Sequence, residues 1–146
     1  MRSLILLLLV GIAHGINVTL INTCNVPMYP RVATDCCPAP SCWHPHTLAP
    51  NSMEWHEYCG NKVLAKNGDN GLTKASIELW MFQGVRMATS AISISAGFDV
   101  GMAITPWDNL SLGTLGCDNP NCFGGATYNQ TIQYYYGEFY LAFLCV

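Results

Sequence analysis

Charge is what this sequence has least of. Six lysines and arginines and nine aspartates and glutamates are spread over 146 residues, and the basic ones gather in no patch or stripe. Nucleic-acid binders draw much of their affinity from neutralised phosphates, so no nucleic-acid partner is expected. No polybasic segment is present, which removes the usual electrostatic hold on an anionic membrane surface. Long apolar runs are missing after the first residues, so no membrane anchor is expected there. Nucleophile-elbow context is missing as well: Ser90, Ser93, Ser95 and Ser111 stand in no GxSxG, and there is no phosphate loop. Finally, no apolar stripe of helical period persists anywhere, which argues against a helical domain.

What is present begins with MRSLILLLLVGIAHG. Arg2 supplies a positive n-region, and Leu4 to Val10 is apolar but far shorter than the ~20 residues a spanning helix needs. Ala13 and Gly15 offer small residues for a cleavage site. Residues 1–15 therefore read as a signal peptide, and residues 16–146 as one mature domain. Cleavage is expected before Ile16, with a cut before His14 as the other option. Without Arg2, five basic residues face nine acidic ones, a net charge of about −4.

All eight cysteines lie in the mature part: Cys24, Cys36, Cys37, Cys42, Cys59, Cys117, Cys122 and Cys145. An even number behind a signal peptide implies four disulfides formed in an oxidising compartment, hence an extracellular protein. The Cys36-Cys37 doublet and the uneven spacings do not fit the paired CxxC knuckles of a zinc site. Asn17-Val18-Thr19, Asn109-Leu110-Ser111 and Asn129-Gln130-Thr131 are N-glycosylation sequons.

Period-two patterning dominates. Ile16, Val18 and Leu20 share a face opposite Asn17 and Thr19. Ile77, Leu79 and Met81 oppose Ser76, Glu78 and Trp80. Met87–Ala96 reads as a second long strand, and Phe139, Leu141, Phe143 and Cys145 share a face near the end. Asn67–Gly71 and Gly113–Asn121 are turn chemistry. Ala33–Pro50, with Pro38, Pro40, Pro45 and Pro50 among three cysteines, reads as an irregular stapled loop. The pattern predicts an all-β sandwich of roughly eight to ten short strands. Most of the tryptophans, Trp43, Trp55, Trp80 and Trp107, are expected in the core or half-buried on a sheet. If extended, Tyr134 and Tyr136 share a face opposite Tyr135.

INVTLINTC, a strand running into the first cysteine, resembles the first strand of thaumatin-like proteins. SISAGFDVGMAITP is similar to that family's DIS…GFNVPM segment, LGCDNPNC to its paired-cysteine stretch, and FYLAFLCV to its closing strand. The spacing NC…ATYNQT…LAFLC resembles small secreted fungal members, including yeast-phase-specific proteins. The resemblance implies a disulfide-stapled thaumatin-like β-sandwich in a short form lacking the family's cysteine-rich second domain. It implies a bridge between the first and last cysteines, Cys24 and Cys145, with the remaining six pairing among themselves. Shared parity with the apolar faces of the first and last strands agrees with such a bridge. The family's acidic cleft is credited with β-glucan binding and, in some members, weak glucanase activity. The alignment sets Ala88 and Ala91 where cleft aspartates would stand, and Glu78 near the family's glutamate with a one-residue shift.

Glycoside hydrolysis generally needs two carboxyl groups, ~5–5.5 Å apart for retention or ~6.5–9.5 Å for inversion. Glu78 and Asp99 are the catalytic candidates, and Glu78 the ligand-binding one. The plain alternatives are a solvated strand position for Glu78 and a turn-holding side chain for Asp99. Cys42-Trp43-His44-Pro45-His46, with His56 further on, is the most metal-like segment. If His14 becomes the N-terminus, its amine and imidazole resemble the histidine brace of copper-dependent polysaccharide monooxygenases. Exposed loop histidines are the plain alternative.

Together these readings describe a small secreted, monomeric, non-catalytic binding or effector-type protein without a cofactor. Its expected partner is cell-wall polysaccharide, β-glucan in particular, or a secreted protein of a host or competitor. The enzyme alternatives are a weak endo-β-1,3-glucanase using Glu78 and a copper protein using His14.

Overall fold

Alternation sets the first strand. Ile16, Val18 and Leu20 are fully buried while Asn17 and Thr19 are not, as a pleat with one face on a core requires. The structure, a computed structural model, describes residues 15–107, 114–122, 127–134 and 136–145. Among these residues there are eleven strands: β1 Ile16–Asn22, β2 Pro30–Thr34, β3 His44–Pro45, β4 Met53–Tyr58, β5 Lys62–Asn67, β6 Lys74–Phe82, β7 Val85–Ser93, β8 Gly101–Pro106, β9 Leu115–Cys117, β10 Thr127–Gln133 and β11 Glu138–Leu144. The signal-peptide reading, residues 1–15, lies outside the described residues apart from Gly15.

The strands form two sheets, a five-stranded one ordered β4-β1-β11-β8-β9 and a six-stranded one ordered β10-β7-β6-β5-β2-β3. Every strand pair is antiparallel except β1 with β11. The core lies between the sheets. Val18, Leu20, Ile104, Phe139, Leu141 and Phe143 face Val32, Ile77, Leu79 and Ile92, all buried. At roughly 1.5–3 kcal/mol per fully buried large side chain, this aliphatic layer is the main favourable contribution to folding.

The parallel pair puts the ends of β1 and β11 together. Its register runs to Asn22↔Phe143, and two further places bring Cys24 beside Cys145. The two are joined by a disulfide with their Cα atoms 5.2 Å apart. Cys24 is buried, whereas Cys145 is exposed. The other bridges are Cys36–Cys59, Cys37–Cys42 and Cys117–Cys122.

Five sequence expectations need correction. Met81 does not continue the inner face of β6. It is 61% exposed, beside exposed Trp80 and Phe82, because the β6–β7 hairpin outruns the sheet that covers its base. Its tip turns through Gln83 and Gly84, both at positive φ, as a two-residue hairpin turn requires. The loop expected over Gly113–Asn121 contains β9, and Ala33–Pro50 contains both the end of β2 and β3. None of the four tryptophans is buried: Trp43 is half-buried and the other three are exposed. The fully buried residues between the sheets are mainly aliphatic, with Phe139 and Phe143 the largest. Tyr134 and Tyr136 do not share a face, since β10 ends at Gln133. Tyr134 packs against the core and Tyr136 is exposed, while Tyr135 lies outside the described residues.

Candidate functional site

The two candidate carboxylates do not meet. Glu78 is exposed on the outer face of β6, opposite Lys62 on β5 and Thr89 on β7. Asp99 sits in the corner between β7 and β8. Its Oδ1 accepts the Thr73 backbone N–H at 2.7 Å, and the Thr73 hydroxyl oxygen accepts the N–H groups of Asp99 at 3.2 Å and Val100 at 3.5 Å. Five residues of extended chain, about 16 Å at ~3.3 Å per residue, separate Thr73 from Glu78. Ala88 and Ala91 do not line one cleft, because the pleat of β7 turns them to opposite faces. Ala88 is fully buried in the core and Ala91 looks outward.

The outer face of the five-stranded sheet carries a different kind of surface. Outward positions of such a sheet are ordinarily polar. Here Trp55 on β4 is 58% exposed, Trp107 after β8 is 45% exposed and Tyr136 before β11 is 72% exposed. Trp107 and Tyr136 meet edge to face, with ring centroids 6.3 Å apart. Trp55 and Trp107 border a depression of about 130 Å³ that also includes Asn17, Thr19, Glu138 and Tyr140. At its floor, Asn17 Oδ1 is buried and has no hydrogen-bond partner among the described residues. β1 and β11 set Asn17 directly beside Glu138.

A second cluster lies where the sheets meet at one edge. β4 is the edge strand of one sheet and β3 of the other. Glu54, His56 and Tyr58 share the inward parity of β4, and His46 follows β3. The His46 and His56 rings stand 4.2 Å apart between centroids. His56 Nε2 is 3.2 Å from Glu54 Oε2, and Tyr58 Oη shares a 2.9 Å hydrogen bond with His46 Nε2. Burial of the ring, then the neighbouring His56, holds the His46 pKa down to about 4 against the opposing pull of Glu54. Burial, with Glu54, pushes the Tyr58 phenol up. Ligand atoms of His46, Glu54 and His56 all lie within 4.8 Å of one another. The cleft that His46 and His56 border, about 440 Å³, also includes His44, which is exposed. His14 lies outside the described residues.

No family model matches the sequence, and no curated protein matches it. Among solved structures, the thaumatin-like xylanase inhibitor TLXI superposes with a TM-score of 0.62 at 17% identity, covering 86% of this chain and 97% of that one. The fold is thaumatin-like. The protein elicitor MoHrip2 from Magnaporthe oryzae superposes with a TM-score of 0.56 at 10% identity, covering 88% of this chain and 98% of the elicitor.

Within this thaumatin-like sandwich the quoted motifs fall on defined elements. INVTLINTC is β1 running into Cys24, and SISAGFDVGMAITP spans the end of β7, the Asp99 corner and β8. Of the sequons, Asn129 is exposed on edge strand β10, Asn17 is half-buried in the depression, and Asn109 lies outside the described residues. Sequence reasoning did not bring Trp55 to Trp107, because the residues between them cross to the other sheet and back. The parity of Glu54, His56 and Tyr58 was readable in MEWHEY. The nearness of His46 was not.

Proposed function

We propose that this thaumatin-like chain is a secreted, non-catalytic binding protein, and that the outer face of its five-stranded sheet takes cell-wall polysaccharide, β-glucan first. The observation that carries the reading is the depression between exposed Trp55 and Trp107, bordered by the polar side chains of Asn17 and Glu138. Sugar rings present apolar C–H faces to aromatic rings and hydroxyls to polar groups. Glu138, half-buried on the rim beside Asn17, supplies an acceptor for such a hydroxyl. Exposed apolar patches of this kind mark interaction surfaces. TLXI and MoHrip2 are by name an inhibitor and an elicitor, which supports binding over catalysis. The distance from Glu78 to the Asp99 corner supports the same choice.

The test is cosedimentation with insoluble β-1,3-glucan, chitin and cellulose. Covering roughly 60–80 Å² of one indole at ~25 cal/mol per Å² corresponds to about 1.5–2 kcal/mol, or roughly 10- to 30-fold in affinity. Trp55→Ala and Trp107→Ala should each lose that much on glucan. Wild type failing to bind any of the three polysaccharides would overturn the proposal, as would both variants binding like wild type. Glycopeptide mapping supplies a further arm. A glycan found on Asn17 would itself occupy the depression and remove the polysaccharide reading. Reducing-sugar release that disappears in Glu78→Gln would overturn the non-enzymatic part.

A further inference from the structure

We infer that His46, Glu54 and His56 form a binding site for a divalent transition-metal ion of the zinc class, joining the two sheets at their open edge. The inference is independent of the polysaccharide reading, because the cluster lies on the opposite face of β4 from Trp55.

Three features point to a cation. First, the donors are of the right kind. Two imidazoles and one carboxylate are a common set for Zn²⁺, leaving a position for water or a further ligand. Second, the spacing suits one ion. Donors ~2.0–2.1 Å from a tetrahedral zinc lie about 3.3 Å from one another. His56 Nε2 and Glu54 Oε2 are already 3.2 Å apart, and the His46 donor is within 4.8 Å of both. Side-chain rotation closes the remaining gap without moving a strand. Third, His46 has an orienting partner. Tyr58 Oη shares a 2.9 Å hydrogen bond with its Nε2, and outer hydrogen bonds of this kind fix the rings of metal-binding histidines. All eight cysteines are in disulfides, so no thiolate competes for the ion.

An ordinary explanation accounts for part of this. Edge strands often carry an inward charged residue that discourages edge-to-edge pairing, and a His56–Glu54 ion pair would serve. That explanation has no use for a second imidazole brought from the other sheet, its ring centroid 4.2 Å from the first. The cleft of about 440 Å³ beside the cluster gives an ion a route in and room for a solvent ligand.

The test uses the secreted full chain, stripped with a chelator and then titrated with Zn²⁺ by calorimetry. Retained zinc is measured in parallel by elemental analysis after dialysis. One ion per chain is expected, with a rise in melting temperature on zinc addition. Glu54→Gln, a near-isosteric change on a half-exposed side chain, should weaken binding on the order of tenfold or more. His46→Ala and His56→Ala should each abolish both the heat and the melting shift, and His44→Ala should leave them in place. Absence of binding by wild type at millimolar Zn²⁺ overturns the inference. So does binding that survives in Glu54→Gln, His46→Ala and His56→Ala alike, which would place the ion elsewhere.

Discussion

Replacing Asp99 with alanine should destabilise the protein without touching any binding activity. Asp99 Oδ1 accepts the backbone N–H of Thr73 at 2.7 Å, and Thr73 is completely buried. The alanine variant leaves that buried donor without its partner. Hydrogen bonds to a charged acceptor contribute about 1.5–3 kcal/mol, and a stranded buried donor costs about 1–3 kcal/mol by the same reckoning. Asp99 itself is exposed, so water recovers part of the loss and the lower end applies, about 1.5–2 kcal/mol. At ~2.1 cal/mol/K per residue over about 130 residues, this lowers the melting temperature by about 5–7 °C. Urea unfolding should show a lower midpoint with an unchanged slope. Asp99→Asn keeps an acceptor oxygen and should recover part of the loss. Thr73→Val removes the hydroxyl that accepts from Asp99 and Val100. Because both variants dismantle one reciprocal motif, the double variant should fall short of the sum by about 0.5 kcal/mol or more. Glu78→Gln is the control. Glu78 is exposed and faces Lys62 across the strand pair, so it should stay within about 0.5 kcal/mol of wild type. If Asp99→Ala matches wild type, or Asp99→Asn is no better than Ala, the corner is not held as described.

Cys24→Ser opens a loop with a sequence separation of 121. Chain entropy assigns it about 4–5 kcal/mol, reduced by the other three bridges, so a sharp fall in secreted yield is expected and non-reducing peptide mapping of wild type should link Cys24 to Cys145. Asn129 is exposed on an edge strand, so glycosidase treatment of protein from a glycosylating host should lower its mass by a glycan mapped to that residue; an unmodified Asn129 would refute this.

The strands were legible where one face is buried. Ile16–Leu20 and Phe139–Phe143 alternate against a uniform apolar core, and the period of two appears directly in the sequence. Legibility failed where that pressure ends. Trp80, Met81 and Phe82 continue an apolar run past the covering sheet, so parity no longer reports burial there. The short strands β3 and β9, two and three residues long, carry too little pattern to declare themselves. The role of Asp99 as a turn-holding residue was readable as one of two options, but its partner Thr73, 26 residues earlier, was not. The candidate sites were hidden for a related reason: each draws residues from segments that only the strand order makes neighbours.

β4 joins these arguments. It is an edge strand paired on one side only, to β1, and its six residues read MEWHEY. The pleat sends Met53, Trp55 and Glu57 outward and Glu54, His56 and Tyr58 inward. A central strand has no such freedom, because its inward side chains must fill the gap between sheets, as Val18 and Leu20 do on β1. At the edge the opposing sheet ends, so inward positions tolerate imidazole and carboxylate, while outward positions remain open to solvent. One short strand thus supplies side chains to two surfaces that share only its backbone. Any change that slips its register by one residue exchanges the two faces and damages both surfaces, whereas single side-chain replacements separate them. That separation is why Trp55→Ala belongs with the polysaccharide test and His56→Ala with the zinc test.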